Sequence, residues 1–188
     1  MIEPSVAVVI LNWNGQSFLE RFLPSVVKTN YSNLQIVVAD NASTDHSISF
    51  LAKHYPNVKV IVNDKNYGFA EGYNQALEKV NTDYFVLLNS DVEVPENWIK
   101  PVIDVMQRNE DVAAAQPKIK WQQNKAMFEY AGAAGGFIDR FGFTFCRGRI
   151  FDHLEEDRGQ YDTYVPVFWA SGAAFFIKSR VWKEVGGL

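Results

Sequence analysis

The sequence predicts a layered α/β fold with a mostly parallel sheet and helices on both faces. Short apolar runs such as residues 6–11 and 84–88 lack polar alternation, which is typical of strands buried on both sides. Polar residues follow directly where these runs end. The stretches between the runs are long enough to hold a helix, so neighbouring strands can run parallel through right-handed crossovers.

Length and composition indicate one soluble globular domain. The chain has 188 residues, of which 47% are hydrophobic and 21% charged, and its net charge is -4. An acidic balance gives no general affinity for nucleic acid. The single Cys146 cannot form an intramolecular disulfide, and residues 6–11 are too short to span a bilayer. We therefore expect a cytoplasmic protein that does not bind nucleic acid.

The first part of the chain alternates strand and helix. We expect strands at residues 6–11, 34–39, 58–62, 84–88 and 112–116. Ser17 and Glu20 have the spacing of a capping box at the start of the first helix, in which Pro24 predicts a kink or break. Pro95 suits the first turn of a later helix, and Pro101 predicts a kink within it.

The pattern changes after Pro117. Residues 118–150 are rich in aromatics and glycine and lack a helical period, so we expect hairpins or an aromatic wall there, which serves packing or binds an acceptor. The charged residues 152–162 predict a mobile, solvated loop. Apolar runs surround Ser171 and Gly172, and a short helix is expected over residues 179–185.

Three of the first four strands end in carboxylate or carboxamide clusters. These are Asn12 with Asn14, Asp40 with Asp45, and Asn89 with Asp91. In a parallel sheet such ends share one rim, where ligands of open α/β sheets bind. Each cluster could instead form a turn or a helix cap. We expect Ser43, Thr44 or Asp45 to cap the second helix, and for Asp45 a cap is favoured over a ligand-binding role. Asp40 closes a strand, where it could bind a base or ribose hydroxyls.

Two further segments fit a phosphorylated ligand. Asn89, Ser90 and Asp91 form a variant Asp-x-Asp pattern, whose oxygens suit a hard cation. Gly68 and Gly72 lie where a helix opens, and bare backbone donors there suit a diphosphate, although tight turns and close packing also need glycine. The segment matches neither the P-loop nor the dinucleotide fingerprint.

Together these segments resemble glycosyltransferase family 2, the inverting nucleotide-sugar enzymes of GT-A fold, and most closely its rhamnosyltransferase-like members that build bacterial surface polysaccharides. The resemblance covers the whole chain as one domain, with a nucleotide-binding part at residues 1–117 and an incomplete acceptor-side part at residues 118–188. It rests on the segments VVILNWNG (8–15), DNASTD (40–45), NYGFAEGYN (66–74), LLNSD (87–91) and ASGA (170–173).

The resemblance implies a role for each segment. The nucleotide-sugar donor would contact Asp40 through its base and ribose, with the turn after the first strand beside it and the segment opening the third helix shaping the pocket. Ser171 and Gly172 would lie near the donor sugar and the acceptor, which is a saccharide or a lipid-linked saccharide. The implied substrate-binding set is Asn12, Asn14, Asp40, Asn66, Gly68, Gly72, Asn74, Ser90, Ser171 and Gly172.

The resemblance also implies a divalent cofactor, Mg²⁺ or Mn²⁺, bound by Asp91 and bridging the donor diphosphate. Many family members have an acidic residue where Asn89 stands, and a neutral amide oxygen is a weaker ligand. The family's general base lies in an acidic motif after a Gly-Gly-Leu segment, and this sequence ends at Leu188. We therefore expect a truncated family domain without its base, with peripheral association at the inner membrane face through missing segments.

Three acidic residues, Glu129, Asp139 and Asp152, are internal alternatives for the base, and we favour none of them. Two other functions stay open. A degenerate domain would bind a nucleotide-sugar or a partner without turnover. A sugar nucleotidyltransferase is disfavoured, because such enzymes carry a basic glycine-rich loop after the first strand, whereas residues 12–15 hold no Lys or Arg.

Overall fold

The computed structural model describes residues 3–188. The strands are β1 (Val6–Asn12), β2 (Leu34–Asp40), β3 (Lys59–Val62), β4 (Tyr84–Leu88), β5 (Ala114–Ala115), β6 (Gly136–Ile138), β7 (Thr144–Cys146), β8 (Arg149–Ile150), β9 (His153–Leu154) and β10 (Ala174–Lys178). The helices are α1 (Gln16–Val27), α2 (Ser47–His54), α3 (Ala70–Leu77), α4 (Ile99–Arg108) and α5 (Ser179–Val185).

A six-stranded sheet forms the centre of the fold, in the order β3-β2-β1-β4-β10-β5. β1 pairs in parallel with both β2 and β4, and β2 pairs in parallel with β3. β10 is antiparallel to both of its neighbours, β4 and β5. The predicted mostly parallel sheet is confirmed, with one antiparallel strand inserted between β4 and the short edge strand β5.

Helices cover both faces of the sheet, as predicted. Side chains alternate along β1, so Val8 faces α1 and α4 while Val9 faces α3 and α5. The first face packs against Leu23 and Ile103, and the second against Tyr73 and Trp182. Mainly apolar side chains pack against the sheet on both faces, and the buried polar residues of β1 and β2 lie at the carboxyl ends of these strands, at Asn12 and Asp40.

The helix starts differ from the predictions. Ser17 lies inside α1 and does not cap it, so the predicted capping box is wrong. The backbone N–H of Gln16 instead donates to Asp45 Oδ2 at 3.0 Å, a residue 29 positions away. α1 also continues through Pro24 without a break. α4 begins at Ile99, so Pro95 precedes it, and Pro101 lies in its first turn, where a backbone N–H has no helical partner to lose.

The second part of the chain forms the predicted hairpins. β6 pairs with β7 and β8 with β9, both antiparallel. A small core beneath them contains Phe128 and Cys146, with Tyr161 and Trp169 packed against it. Cys146 is therefore a buried free thiol, as the sequence indicated.

Residues 152–162 are largely exposed, as their charge predicted, but the segment is tied down through one shielded acidic side chain. The side chain of Asp157 is 5% exposed and accepts bonds from Lys118 and Lys120 at 2.9 and 2.8 Å. Hydrogen bonds from Lys120 and Lys118 hold the pKa of Asp157 well below its usual value. The loop is fixed to the start of the second part, because a shielded carboxylate needs these cations. Within residues 3–188, no helix combines the length and the apolar character needed to cross a bilayer.

Candidate functional site

The polar strand ends gather along one rim of the sheet. Asn12, Asp40 and Val62 are aligned across β1, β2 and β3, and Leu88 at the end of β4 is aligned with Ile10. Since these four strands are parallel, the residues that follow them emerge at the same edge. The predicted clusters at residues 12–14, 40–45 and 89–91 therefore lie on one side of the molecule.

Asp40 is the centre of a buried polar network on this rim. Asp40 and Asn12 are 0% and 1% exposed. Asn12 Nδ2 donates to Asp40 Oδ2 at 2.9 Å, and the Ser43 hydroxyl donates to the same oxygen at 2.7 Å. The Ser43 backbone N–H binds Asp40 Oδ1 at 2.8 Å. Asn12 Oδ1 is buried without a partner in the described part of the chain, so the network has acceptor capacity left.

The turn after β1 is fixed to the loop after β2. Asn14 has a left-handed backbone, with φ of 49°, and its Oδ1 accepts the backbone N–H groups of Thr44 and Asp45 at 2.7 and 3.2 Å. Asp45 in turn accepts the N–H groups of Gln16 and Ser47 at the starts of α1 and α2. Its partial burial raises the pKa, but hydrogen bonds from Ser47 and Gln16 outweigh this and lower the Asp45 pKa overall. The N-cap residue of α2 is His46 rather than the predicted Ser43, Thr44 or Asp45, but Asp45 still binds the first N–H of that helix from the preceding position.

A second buried network of amide side chains supports the segment that opens α3. Asn41 is 2% exposed, and its Nδ2 donates to the Gly68 carbonyl at 2.8 Å and to Asn66 Oδ1 at 3.2 Å. Asn63 Nδ2 donates to Asn41 Oδ1 at 2.9 Å and to the Gly72 carbonyl at 3.3 Å. Gly72 is required here, because a Cβ would lie 2.7 Å from Asn41 Nδ2. The predicted residues Asn66, Gly68 and Gly72 therefore belong to one hydrogen-bonded network.

Sequence reasoning missed Asn41 and Asn63. Each comes directly after a strand, as Asn89 does after β4. The polar residue after β3 was therefore a usable signal, since the same pattern had identified the other strand ends.

The loop before β10 completes the rim beside β4. The backbone N–H of Asn89 donates to the Ala173 carbonyl at 3.1 Å. A Cβ on Gly172 would lie 3.3 Å from Phe69 Cζ, so Gly172 touches the segment that opens α3. Ser171 is 8% exposed and its backbone N–H donates to Gln116 Oε1 at 2.6 Å. Ser171, Gly172 and Asn89 are therefore neighbours, although some 80 residues separate them in sequence.

The residues predicted to bind a metal suit an ion that binds together with a phosphorylated substrate. Asp91 is exposed, and Asn89 and Ser90 are partly buried beside it. No group of three or more His, Cys, Asp or Glu residues that could hold a metal occurs between residues 3 and 188. Mg²⁺ is commonly held by only one or two carboxylates together with substrate phosphates and water. One carboxylate and one amide oxygen on an open rim fit that mode and do not fit an all-protein metal cage.

The other predicted residues lie in different surroundings. Asn74 is on α3, where its Oδ1 accepts the backbone N–H of Leu188 at 3.0 Å and its Nδ2 donates to the Leu188 carbonyl at 3.2 Å. Glu129 accepts the Ala131 N–H at 2.6 Å, and Asp139 accepts two N–H groups of its own turn. A pocket of about 230 Å³ lined by Asp83, Tyr84 and Lys178, among others, lies at the opposite end of β4.

Two solved structures share this fold over nearly the whole chain. The mannosyltransferase PcManGT from Pyrobaculum calidifontis, in complex with GDP-Man and Mn²⁺, superposes with a TM-score of 0.64 at 17% identity, over 99% of this chain and 48% of that one. TarS from S. aureus in complex with UDP-GlcNAc gives a TM-score of 0.65 at 15% identity, over 97% and 47% of the two chains. The architecture is the GT-A fold.

The sequence identifies the family more narrowly. The model of Glycosyl transferase family 2 matches residues 7–176, and this chain belongs to that family. An N-acetylglucosaminyl-diphospho-decaprenol L-rhamnosyltransferase of Mycobacterium tuberculosis is 23% identical over 96% of this chain and 63% of its own length. An uncharacterized glycosyltransferase of Haemophilus influenzae is 27% identical over 59% of this chain and 35% of its own. The chain thus spans about one third to two thirds of these relatives.

Proposed function

We propose that the chain binds a nucleotide-diphosphate sugar on the rim formed by β1, β2 and β4 and takes part in inverting transfer of the sugar to an acceptor hydroxyl. The acceptor is a saccharide or lipid-linked saccharide of a cell-surface polysaccharide. Membership of glycosyltransferase family 2 supports the reaction class. The observation that carries the proposal is the shared rim: Asp40 and residues 89–91 lie at the carboxyl ends of parallel strands, on the same edge of the sheet.

The nucleoside would be held by the Asp40 network. Asp40 and Asn12 are buried and held in place by Ser43, so little conformational entropy remains to be lost when a ligand binds. The Asn12 Oδ1 acceptor is unpartnered in the described residues and suits an N–H or O–H group of a nucleoside. The amide network of Asn41 and Asn63 would hold the Gly68 segment in register beside it.

Asp91 and Asn89 would hold a divalent ion, Mg²⁺ or Mn²⁺, together with the donor diphosphate. When bound, such an ion supplies Lewis-acid stabilisation of the negative charge on the departing diphosphate. Ser171 and Gly172 would border the sugar, because their loop lies against both Asn89 and Phe69. A carboxylate general base must accept the proton of the acceptor hydroxyl. Glu129 and Asp139 bind backbone N–H groups of their own turns, so we do not assign this role to them.

Calorimetry tests the donor site directly. UDP, GDP and dTDP would be titrated into the chain with and without Mn²⁺, and at least one should bind with metal present. Asp91→Ala should weaken the metal-dependent binding by at least tenfold, because the chain then offers the ion no carboxylate. Asp40→Ala should weaken binding of the nucleoside with or without metal.

Asp111→Ala is the matched control. Asp111 is also an exposed carboxylate, but it precedes β5 at the opposite edge of the sheet. Its substitution should leave nucleotide binding unchanged. Absence of binding by every nucleotide, or equal effects of Asp91→Ala and Asp111→Ala, would overturn the proposal. Release of nucleoside diphosphate from a bound nucleotide-sugar then separates an enzyme from a domain that only binds.

A further inference from the structure

The two hairpins of the second part expose many large apolar side chains. Phe141 and Phe143, at the turn between β6 and β7, are 71% and 72% exposed, and Phe151, at the turn between β8 and β9, is 86% exposed. Ile138, Phe145 and Ile150 add to them. We name residues 137–151 the hairpin surface. At about 200 Å² for one exposed aromatic side chain, its four phenylalanines that are half or more exposed present on the order of 550 Å² of apolar area, as much as the largest patch on most monomers.

The two turns lie at the same edge of this surface. The β6–β7 turn is closed by Gly142, with φ of +89°, and by Asp139, whose carboxylate accepts the N–H groups of Phe141 and Phe143. The chain then reverses at Gly148, where φ is +88°, and β8 folds back beside β7. Residues after this reversal run toward the first turn. Phe151 is therefore brought back alongside the β6–β7 hairpin.

Phe151 is unfavourable where it stands for the isolated chain. Its φ is 49°, in the left-handed region that a bulky L-residue rarely adopts. Asn, Asp or Gly would suit this turn position better. The ring gains nothing in return from packing, since it is almost fully exposed. Neither the backbone nor the packing within residues 3–188 favours phenylalanine at this position.

The charges of the hairpin surface differ in sign from those of the rest of the chain. Residues 137–151 contain Arg140, Arg147 and Arg149 against Asp139 alone, a net charge of +2 within a chain of net charge -4. Four acidic residues follow within six positions of Phe151, namely Asp152, Glu155, Glu156 and Asp157. Of these, Asp157 is paired with Lys118 and Lys120, and Glu156 with Arg158. Arg140 lies over the Phe141 ring at 4.6 Å, and Arg149 over Tyr130 at 4.0 Å. Neither forms an ion pair among residues 3–188.

We propose that the hairpin surface docks the chain on an anionic phospholipid bilayer. Phe141 and Phe151 enter the boundary between headgroups and acyl chains, while Arg140 and Arg149 contact headgroup phosphates. Aromatic residues beside arginine are suited to this interface, because the ring loses contact with water and the guanidinium remains hydrated. The docking does not depend on the sugar-transfer proposal. If both hold, a lipid-linked acceptor is presented at the surface to which the enzyme is bound.

Sedimentation with vesicles tests the proposal. The chain would be mixed with vesicles of phosphatidylcholine alone or of phosphatidylcholine with phosphatidylglycerol. It should sediment with the anionic vesicles, bind the neutral ones at least tenfold more weakly, and be released by salt. The variant Phe141→Asn with Phe151→Asn should lose at least tenfold in binding to anionic vesicles. Because Asn tolerates a left-handed backbone, this variant should keep or raise the melting temperature.

Two controls fix the interpretation. Phe18→Ser removes a ring that is 48% exposed on α1, outside the hairpin surface, and should leave vesicle binding unchanged. Arg140→Gln should reduce binding to anionic vesicles and not to neutral ones. Failure of the parent chain to bind anionic vesicles, or equal losses in the Phe18 and the paired variants, would overturn the proposal. A parent dimer that the paired variant dissolves would assign the surface to a second copy and overturn it as well.

Discussion

Replacing Gly72 by alanine should destabilise the fold, although alanine is the better helix former. A Cβ at this position would lie 2.7 Å from Asn41 Nδ2, 3.0 Å from Asn41 Oδ1 and 3.1 Å from Leu11 Cδ1. Asn41 is 2% exposed and bonded at both ends of its amide, so it has no space to move into. The added methyl group must therefore displace the amide or separate α3 from the sheet.

The expected magnitude follows from two opposing effects. Overpacking of a full interior costs roughly 1–3 kcal/mol. Weakening the bonds of Asn41 with Gly68 and Asn63 adds about 1 kcal/mol. The higher helix propensity of alanine than of glycine offsets about 1 kcal/mol of this loss in stability. The net loss should be about 2 kcal/mol, which lowers the melting temperature of a chain of this size by about 4–8 °C.

Urea unfolding of four proteins measures this loss: the parent, Gly72→Ala, Asn41→Ala and the double variant. If the methyl group clashes with the amide, both costs disappear in the background that lacks the Asn41 side chain, and Gly72→Ala should there stabilise the fold by up to about 1 kcal/mol. The coupling free energy in this cycle should then be about 3 kcal/mol. A single variant Gly72→Ala as stable as the parent, or additive effects in the double variant, would refute the reasoning.

Three further predictions concern other parts of the chain. Asp157→Asn should cost about 2 kcal/mol at pH 7, because Lys118 and Lys120 lose a charged acceptor. Since the Asp157 pKa is lowered by folding, the parent's advantage is present above about pH 4 and disappears as pH falls further, which urea unfolding at pH 7 and pH 3 would measure. Burial raises the pKa of Tyr31 to about 12, so the parent should lose stability as pH rises above about 10, and Tyr31→Phe should lose less over the same range. Mn²⁺ alone should bind below detection in paramagnetic resonance titrations and bind tightly once a nucleoside diphosphate is added, because Asp91 would be the one carboxylate ligand of the proposed site. Mn²⁺ binding that is tight without nucleotide would contradict this.

The central strands β1 and β4 were predictable from the sequence because they are buried on both faces. Continuous apolar runs such as residues 84–88 have no polar alternation, and helices on both sides require this. The end of each strand was equally clear, since polar residues begin where the helices no longer cover the sheet. Asp40 and Asp91 could thus be placed on a common rim from the sequence alone.

Long-range partners were not predictable. The N–H of Gln16 is satisfied by Asp45 from another loop, so the local capping box of Ser17 had no role to fill. The charged segment at residues 152–162 is ordered by Lys118, 39 residues from Asp157. Periodicity and capping patterns report neighbours within a few residues, and the partners in both of these hydrogen bonds lie far outside that range.

Sheet order was a further limit. The apolar run at residues 173–177 was visible, but its direction and its place beside β4 depend on how the hairpins return the chain. The 2-residue strand β5 pairs only with β10, so its predicted length of five residues was also wrong. Edge strands have one partner, and a short apolar stretch does not reveal how many partners it will have.

β10 places a strand of the second part inside the sheet of the first. Phe176 is 0% exposed and lies in the same core as Val8 and Trp98, so the second part of the chain contributes a core residue to the first. A protein ending after α4 would present the whole length of β4 as an unpaired border to other molecules, and self-association would compete with folding. Any exchange of halves between relatives would therefore need to keep this strand with the sheet into which it inserts.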